Sequence, residues 1–122
     1  MALDRSQVSA PVVPSQAVQV DVLGGELIVQ GLMLGPRLAL AAARQRLAKP
    51  IGDETDAQAQ ERAAGEVIAL TLAQCVLADD GKPLWSAEQW HAFGGQHIDV
   101  AVQLWQVAQR LNGHDVEAAS GN

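Results

Sequence analysis

The feature that most constrains this chain is the placement of its interruptions. Gly24-Gly25, Gly35-Pro36, Lys49-Pro50, Gly81-Lys82-Pro83, Gly94-Gly95 and Asn112-Gly113 are spread along 122 residues. Each stops or redirects a regular element, because glycine admits positive φ while proline fixes φ and withholds a backbone donor. The segments between them are short, and the longest runs from about Asp56 to Ala78. Such a chain suits one small domain. The apolar residues, 48% of the total, are mostly Ala, Leu and Val, with one Phe and no Tyr. Strands draw on aromatic and β-branched residues, so this supply favours closely packed helices over a β-sandwich. A chain of this size buries roughly two-thirds of its unfolded surface, enough for a core without disulfides or metal.

Residues 1–16 read as a flexible arm, 17–112 as a single α+β domain and 113–122 as a flexible tail. Val18, Val20 and Val22 alternate with Gln19 and Asp21, the two-residue period of a half-buried strand. Gly24-Gly25 is a two-residue turn signal of type I′, and Leu27, Val29 and Leu32 return from it, giving a β-hairpin over about 17–32. A lone hairpin is marginal in water, so it packs on helices or pairs through its edge with another subunit.

Pro36 suits the first turn of a helix over about 36–48, which must stop before Pro50. Thr55 and Gln58 form a capping box for a helix over about 56–78, whose apolar face is Ala64, Val67, Ile68, Thr71, Leu72, Cys75 and Val76. Asp79-Asp80-Gly81-Lys82-Pro83 is a joint, with Gly81 suited to left-handed geometry and Pro83 preventing immediate resumption of the helix. Ser86 and Gln89 cap a short helix over 86–93, and Gly94-Gly95 breaks it. A last helix over 96–111 places Ile98, Ala101, Leu104, Trp105, Ala108 and Leu111 on one face, and Asn112-Gly113 ends it. The predicted fold class is α+β, mainly helical, an N-terminal β-hairpin followed by three or four helices.

Charge and residue type then exclude functions. The net charge is −6 and the only lysines are Lys49 and Lys82. Without a basic patch there is little to neutralise phosphates, so neither nucleic acid nor an anionic membrane is an expected partner. The sequence opens without a basic-then-apolar signal pattern, and no apolar run approaches the ~20 residues of a membrane helix. One cysteine, Cys75, excludes an internal disulfide, and a reducing cytoplasm fits best.

His91 and His97 straddle the double-glycine break and His114 stands apart, so no helical ligand pair forms, and one cysteine cannot build a zinc site. Asp53, Glu54 and Asp56, like Asp79-Asp80, lack the alternating ligands and closing glutamate of a calcium loop and suit helix ends instead. Cys75 lies on an apolar helix face, away from the exposure a nucleophile needs. No catalytic residue, metal ligand or cofactor is expected, and the protein reads as a non-enzyme.

The aromatics are more informative. Trp85, Trp90, Phe93 and Trp105 all fall in the last third of the sequence. Trp105 belongs to the stripe of the last helix. Trp85, Trp90 and Phe93 surround a segment too short to bury both its faces, and tryptophan is enriched in binding hot spots. These three are the candidate partner-binding residues, with Trp90→Ala expected to weaken binding and leave helical content intact. Gly24, Gly25, Asp79, Asp80, Gly81, Pro83, Ser86 and Gly113 are the structural turn and cap positions.

The stretch VLADDGKPLWSAEQWHAFGGQHIDVAVQLWQVAQRLNG resembles the C-terminal half of tail assembly chaperones of long-tailed bacteriophages and prophages. The resemblance rests on Asp79-Asp80-Gly81-Lys82-Pro83-Leu84-Trp85, the short helix from Ser86 to Phe93, and the closing Leu111-Asn112-Gly113. It implies a non-enzymatic protein that binds and solubilises the tape measure protein in the host bacterial cytoplasm and is absent from the mature virion. It also implies a −1 ribosomal frameshift yielding a longer product that recruits tail tube protein. Ser120-Gly121-Asn122 can be encoded by UCG-GGA-AAC, which contains the slippery heptamer G-GGA-AAC, so the coding DNA tests this. A homo-oligomer is compatible. The competing readings are a structural subunit of a phage tail or head–tail connector, and a small helical protein-binding adaptor.

Overall fold

The computed structural model describes residues 2–113. The fold is α+β and mainly helical, with strands β1 (Ser15–Val20), β2 (Gly25–Gln30) and β3 (Val76–Leu77) and helices α1 (Leu34–Leu47), α2 (Asp56–Cys75), α3 (Ala87–Gln96) and α4 (Ile98–Leu111). Strand order is β1-β2-β3, both pairs antiparallel. The hairpin puts Val18 opposite Leu27 and Val20 opposite Gly25. One face of the sheet therefore carries Val18, Val20, Leu27 and Val29 inward, where α4 packs beneath β1 and β2.

Several boundaries differ from the sequence reading, each for a local reason. The hairpin begins at Ser15, so the last two residues of the expected arm are paired strand. Its turn is not Gly24-Gly25: Asp21–Leu23 form one 3-10 turn, Gly24 alone takes positive φ (76°) and donates its N–H to the Asp21 carbonyl at 3.0 Å, and Gly25 is already strand. Val22 is therefore exposed, and β2 ends before Leu32. The glycines Gly94 and Gly95 do not break α3, which continues to Gln96. The actual break is His97, at φ −135° and ψ 63°. Ile98, expected on the buried stripe of α4, occupies its first position and is exposed, while Val107 is buried in its place.

The helix expected to reach Ala78 stops at Cys75, and Val76-Leu77 turn into β3 beside β2. Val76 and Leu77 are β-branched and γ-branched residues that fit a buried strand as well as a helix, and Val76 is fully buried. This third strand is what stabilises the hairpin within the chain, leaving β1 as an edge.

Asp79 to Pro83 form the joint. Gly81 (φ 80°) donates to the Ala78 carbonyl at 3.0 Å, Ala78 donates to the Lys82 carbonyl at 2.9 Å, and Asp80 Oδ1 accepts from the Lys82 amide at 3.0 Å. Leu84 then donates to the Val76 carbonyl at 3.0 Å, closing the loop back on β3. The acidic pair serves the turn. Both predicted capping boxes are present, Thr55 with Gln58 and Ser86 with Gln89. Ahead of the first of these, Glu54 pairs with Arg62 at 2.9 Å and accepts from the Ile51 amide at 2.7 Å, so its carboxyl is held below its ordinary range, chiefly by the Arg62 hydrogen bond.

The end of α4 is tied to the start of the chain. Gly113 takes positive φ (84°), as expected of a helix-ending glycine. Asn112 is buried: its Oδ1 accepts from the Leu32 amide at 2.6 Å, and its Nδ2 lies 3.9 Å from Cys75 Sγ. A methyl group at Gly31 would sit 3.2 Å from both Asn112 Oδ1 and the Leu111 carbonyl, so glycine there permits the approach. Asn112→Ala leaves the Leu32 amide without its acceptor and is expected to cost about 1–3 kcal/mol in urea unfolding. An unchanged midpoint would show that water replaces the side chain at no cost.

Candidate functional site: an apolar trough between three helices

The three aromatics expected to meet a partner do come together, as part of the core. Trp85 and Trp90 have ring centroids 4.6 Å apart, Trp85 and Phe93 5.2 Å, and Trp90 and Phe93 5.6 Å. Trp90 is 1% exposed and belongs to the central cluster with Leu72, Val76 and Leu104. The expectation for Trp90 is therefore corrected: it cannot present its ring to a partner, because α2, α3 and the joint enclose it. Trp85 and Phe93 are half-buried and pack against the same cluster. The short segment buries its aromatics because α3 is longer than expected and lies against both α2 and α4.

The exposed apolar surface lies elsewhere. No residue of α1 is buried. Its half-buried residues, Leu40, Ala43 and Leu47, recur at three- and four-residue spacings, the stripe by which it rests on α2. A second stripe, Leu34, Leu38, Ala41 and Gln45, is open to solvent, with Leu34 73% and Leu38 60% exposed and Met33 just before them 69%.

That second stripe is one wall of a trough. Two adjoining hollows, of about 290 and 380 Å³, share Arg44 and Val67. Helix α2 packs against both α1 and α4 and forms the floor with Ala63, Ala64, Val67 and Thr71. The far wall is α4, with Trp105 and Gln109, closed at one end by Asn112 and Leu32. The small side chains of α2 keep the floor low, and Thr71 Oγ1 donates back to the Val67 carbonyl at 2.7 Å, leaving no unpaired hydroxyl there. Along α1 from Leu34 to Ala48 the trough extends about 21 Å at 1.5 Å per residue. Length and lining suit an amphipathic helix laid in a groove.

Among the described residues, no group of three or more His, Cys, Asp or Glu is placed to hold a metal. Cys75 lies in the core, and burial pushes its thiol up to about 11. The folded state holds that proton more tightly than the unfolded chain, whose thiol loses it near 9.0. Stability is therefore expected to fall as pH rises from about 9 towards 11. Below that window a thiol reagent is expected to label Cys75 only on unfolding; rapid stoichiometric labelling of the native protein at pH 8 would contradict its enclosure. His91 Nε2 and Glu66 meet at 3.2 Å, a partly exposed link between α3 and α2. No helix of the described residues is long and apolar enough to cross a membrane.

Sequence reasoning missed this site. The signal was available: Leu34, Leu38 and Ala41 recur at helical spacing on a segment with a second apolar stripe at Leu40, Ala43 and Leu47, more than one packing contact needs. No family model matches the chain, and no significant match is found among characterised proteins or solved structures.

Proposed function

We propose that this protein is a non-enzymatic tail assembly chaperone of a long-tailed phage or prophage, and that it holds helical segments of the tape measure protein in the α1–α2–α4 trough. The observation that carries this reading is α1: a helix with no buried residue, whose outward leucines border an apolar trough. A helix that packs by one stripe and leaves another open is suited to receive a third helix, because the apolar area it exposes is regained on binding. The resemblance of residues 76–113 to such chaperones supplies the partner class. A tape measure protein is long and largely helical, so many copies of a weak binder can act on neighbouring segments and reinforce one another. The setting would be the host bacterial cytoplasm before tail completion, with tube protein recruited by a longer frameshifted product.

The test is co-expression with tape measure fragments that are insoluble alone. The chain should hold a subset of them in solution and co-purify with them. Recovery no better than with an unrelated acidic protein would defeat the reading. The second reading, a structural subunit of the tail or connector, draws on the open edge of β1. It requires the protein in finished particles, where the chaperone reading requires its absence.

A further inference from the structure

Of the two edges of the sheet, one is closed and one is open. Beside β3, Ala78 donates to the Lys82 carbonyl, Leu84 donates to the Val76 carbonyl, and Leu77 bridges to Pro83. The other edge is β1, and the ladder fixes where its backbone groups point. The Gly31 amide donates to the Pro14 carbonyl at 2.8 Å, one step beyond the pair Ser15 and Gln30. Bonded and non-bonded pairs alternate along an antiparallel ladder. Gln16, Val18 and Val20 therefore turn their backbone groups to β2, while Ser15, Ala17 and Gln19 turn theirs outward. Among the described residues those outward amides and carbonyls meet no partner.

Open edges are ordinarily defended by charge, proline or a bulge. The β1 edge has no such defence. Its register against β2 runs residue for residue without a bulge, and residues 6–20 contain no charged side chain, in a protein of net charge −6. Pro14 does not block it, because the donor that proline lacks would face β2. Ser15, Ala17 and Gln19 are exposed, small or polar, and lie on the face opposite the buried Val18 and Val20. Two valines flank the edge in the open, Val12 at 85% and Val22 at 48% exposure.

We propose that β1 pairs antiparallel with β1 of a second copy of this chain, about a two-fold axis at Ala17, joining the two sheets into one of six strands. A row of alternating free donors and acceptors is satisfied by another extended strand, not by a helix. The second copy fits because the edge is self-complementary. With Ala17 opposite Ala17 of the partner subunit, Ser15 lies opposite Gln19 of the partner subunit, and all three outward residues enter bonded pairs. Shifting the register by two residues sets one of the three beyond the end of the facing strand. No charge meets a like charge across this pairing. Carried outward, the same register brings Val12 to the level of Val22 of the partner subunit, on both sides of the axis. Since β3 is closed off, assembly through β1 stops at two copies. A strand pair is a small interface, so a dissociation constant of about 1–100 μM is expected. The pairing does not depend on what the trough binds. If the trough holds partner helices, the dimer presents two of them and gains avidity for a partner with repeated segments.

The test is sedimentation velocity and amide hydrogen exchange on the full chain over a range of concentrations. Monomer is expected to pass to dimer as concentration rises. Exchange at Ser15, Ala17 and Gln19 should slow in step with it, while Val18 and Val20, bonded to β2, are protected throughout. Ala17→Pro removes a donor that faces outward and spares the β1–β2 ladder, so it should weaken the dimer at least about tenfold by deleting a hydrogen bond from each copy. Ala17→Lys sets like charges opposite each other at the axis and should also weaken it, leaving the unfolding midpoint of the dilute monomer unchanged. A monomer at every concentration up to about 1 mM would overturn the proposal. So would a dimer whose three outward amides exchange as fast as in the monomer, or growth into larger open-ended species. The two readings fail separately. Dimers that hold no tape measure fragment in solution leave the pairing and remove the chaperone; a strictly monomeric chain that holds them does the reverse.

Discussion

Trp90→Ala is expected to lower the stability of this protein by about 3–5 kcal/mol, the usual cost of deleting a large aromatic from a core. Trp90 is 1% exposed and is packed edge-to-face on Trp85 and Phe93. Domains of this size are stable by only about 5–15 kcal/mol, so the loss is a large share of the whole. In thermal unfolding followed by circular dichroism it should appear as a fall in Tm on the order of 15–30 °C. A shift of only a few degrees would mean that the ring is less enclosed than the structure places it. Trp90→Phe should be far milder. It keeps an aromatic in the cluster and removes an indole N–H that is buried without an acceptor. Any binding defect of Trp90→Ala is then expected to follow from loss of fold, the opposite of the sequence-based expectation.

The complementary experiment spares the fold and removes the site. Leu34→Glu with Leu38→Glu replaces two exposed leucines by a good helix former, the first of them in the opening turn of α1, where a carboxylate is favourable. Stability should change by less than about 0.5 kcal/mol per site, as for most exposed substitutions. Binding of tape measure fragments should weaken about 30-fold or more, the effect of losing a hot-spot contact of roughly 2 kcal/mol. Equal affinity of the double variant, measured by calorimetry on a folded sample, would move the site away from the trough.

Comparing the two variants shows what was legible in the sequence. The hairpin, the four helices and their order were, because capping residues and breakers act locally: Thr55 with Gln58, Ser86 with Gln89, Gly81, Pro83 and Gly113 all perform as read. Where tertiary context decides, the reading failed. Val76-Leu77 continue an apolar helical pattern, and only the presence of β2 makes them strand. Gly94-Gly95 are poor helix formers, yet α3 passes through them, with Gly94 close to Ala101 of α4. The site was misplaced for a similar reason. Aromatic content marks large contact area without saying on which side of the surface it is spent. The informative quantity was the surplus of apolar stripes on α1, whose meaning depends on how many neighbours it has.

The contact between Asn112 and the Leu32 amide spans 80 positions of sequence. Together with the sheet, whose third strand arrives only at Val76, it means that the N-terminal hairpin gains its core partners late. During synthesis the hairpin and α1 emerge first and must wait for α4 before Val18, Val20 and Val29 are covered. Long-range closure of this kind slows folding relative to a bundle of local contacts. Translation beyond α4, including any residues that a frameshifted product would add, therefore falls within the interval in which the domain closes. Until then the first third of the chain is itself an exposed apolar segment in need of cover.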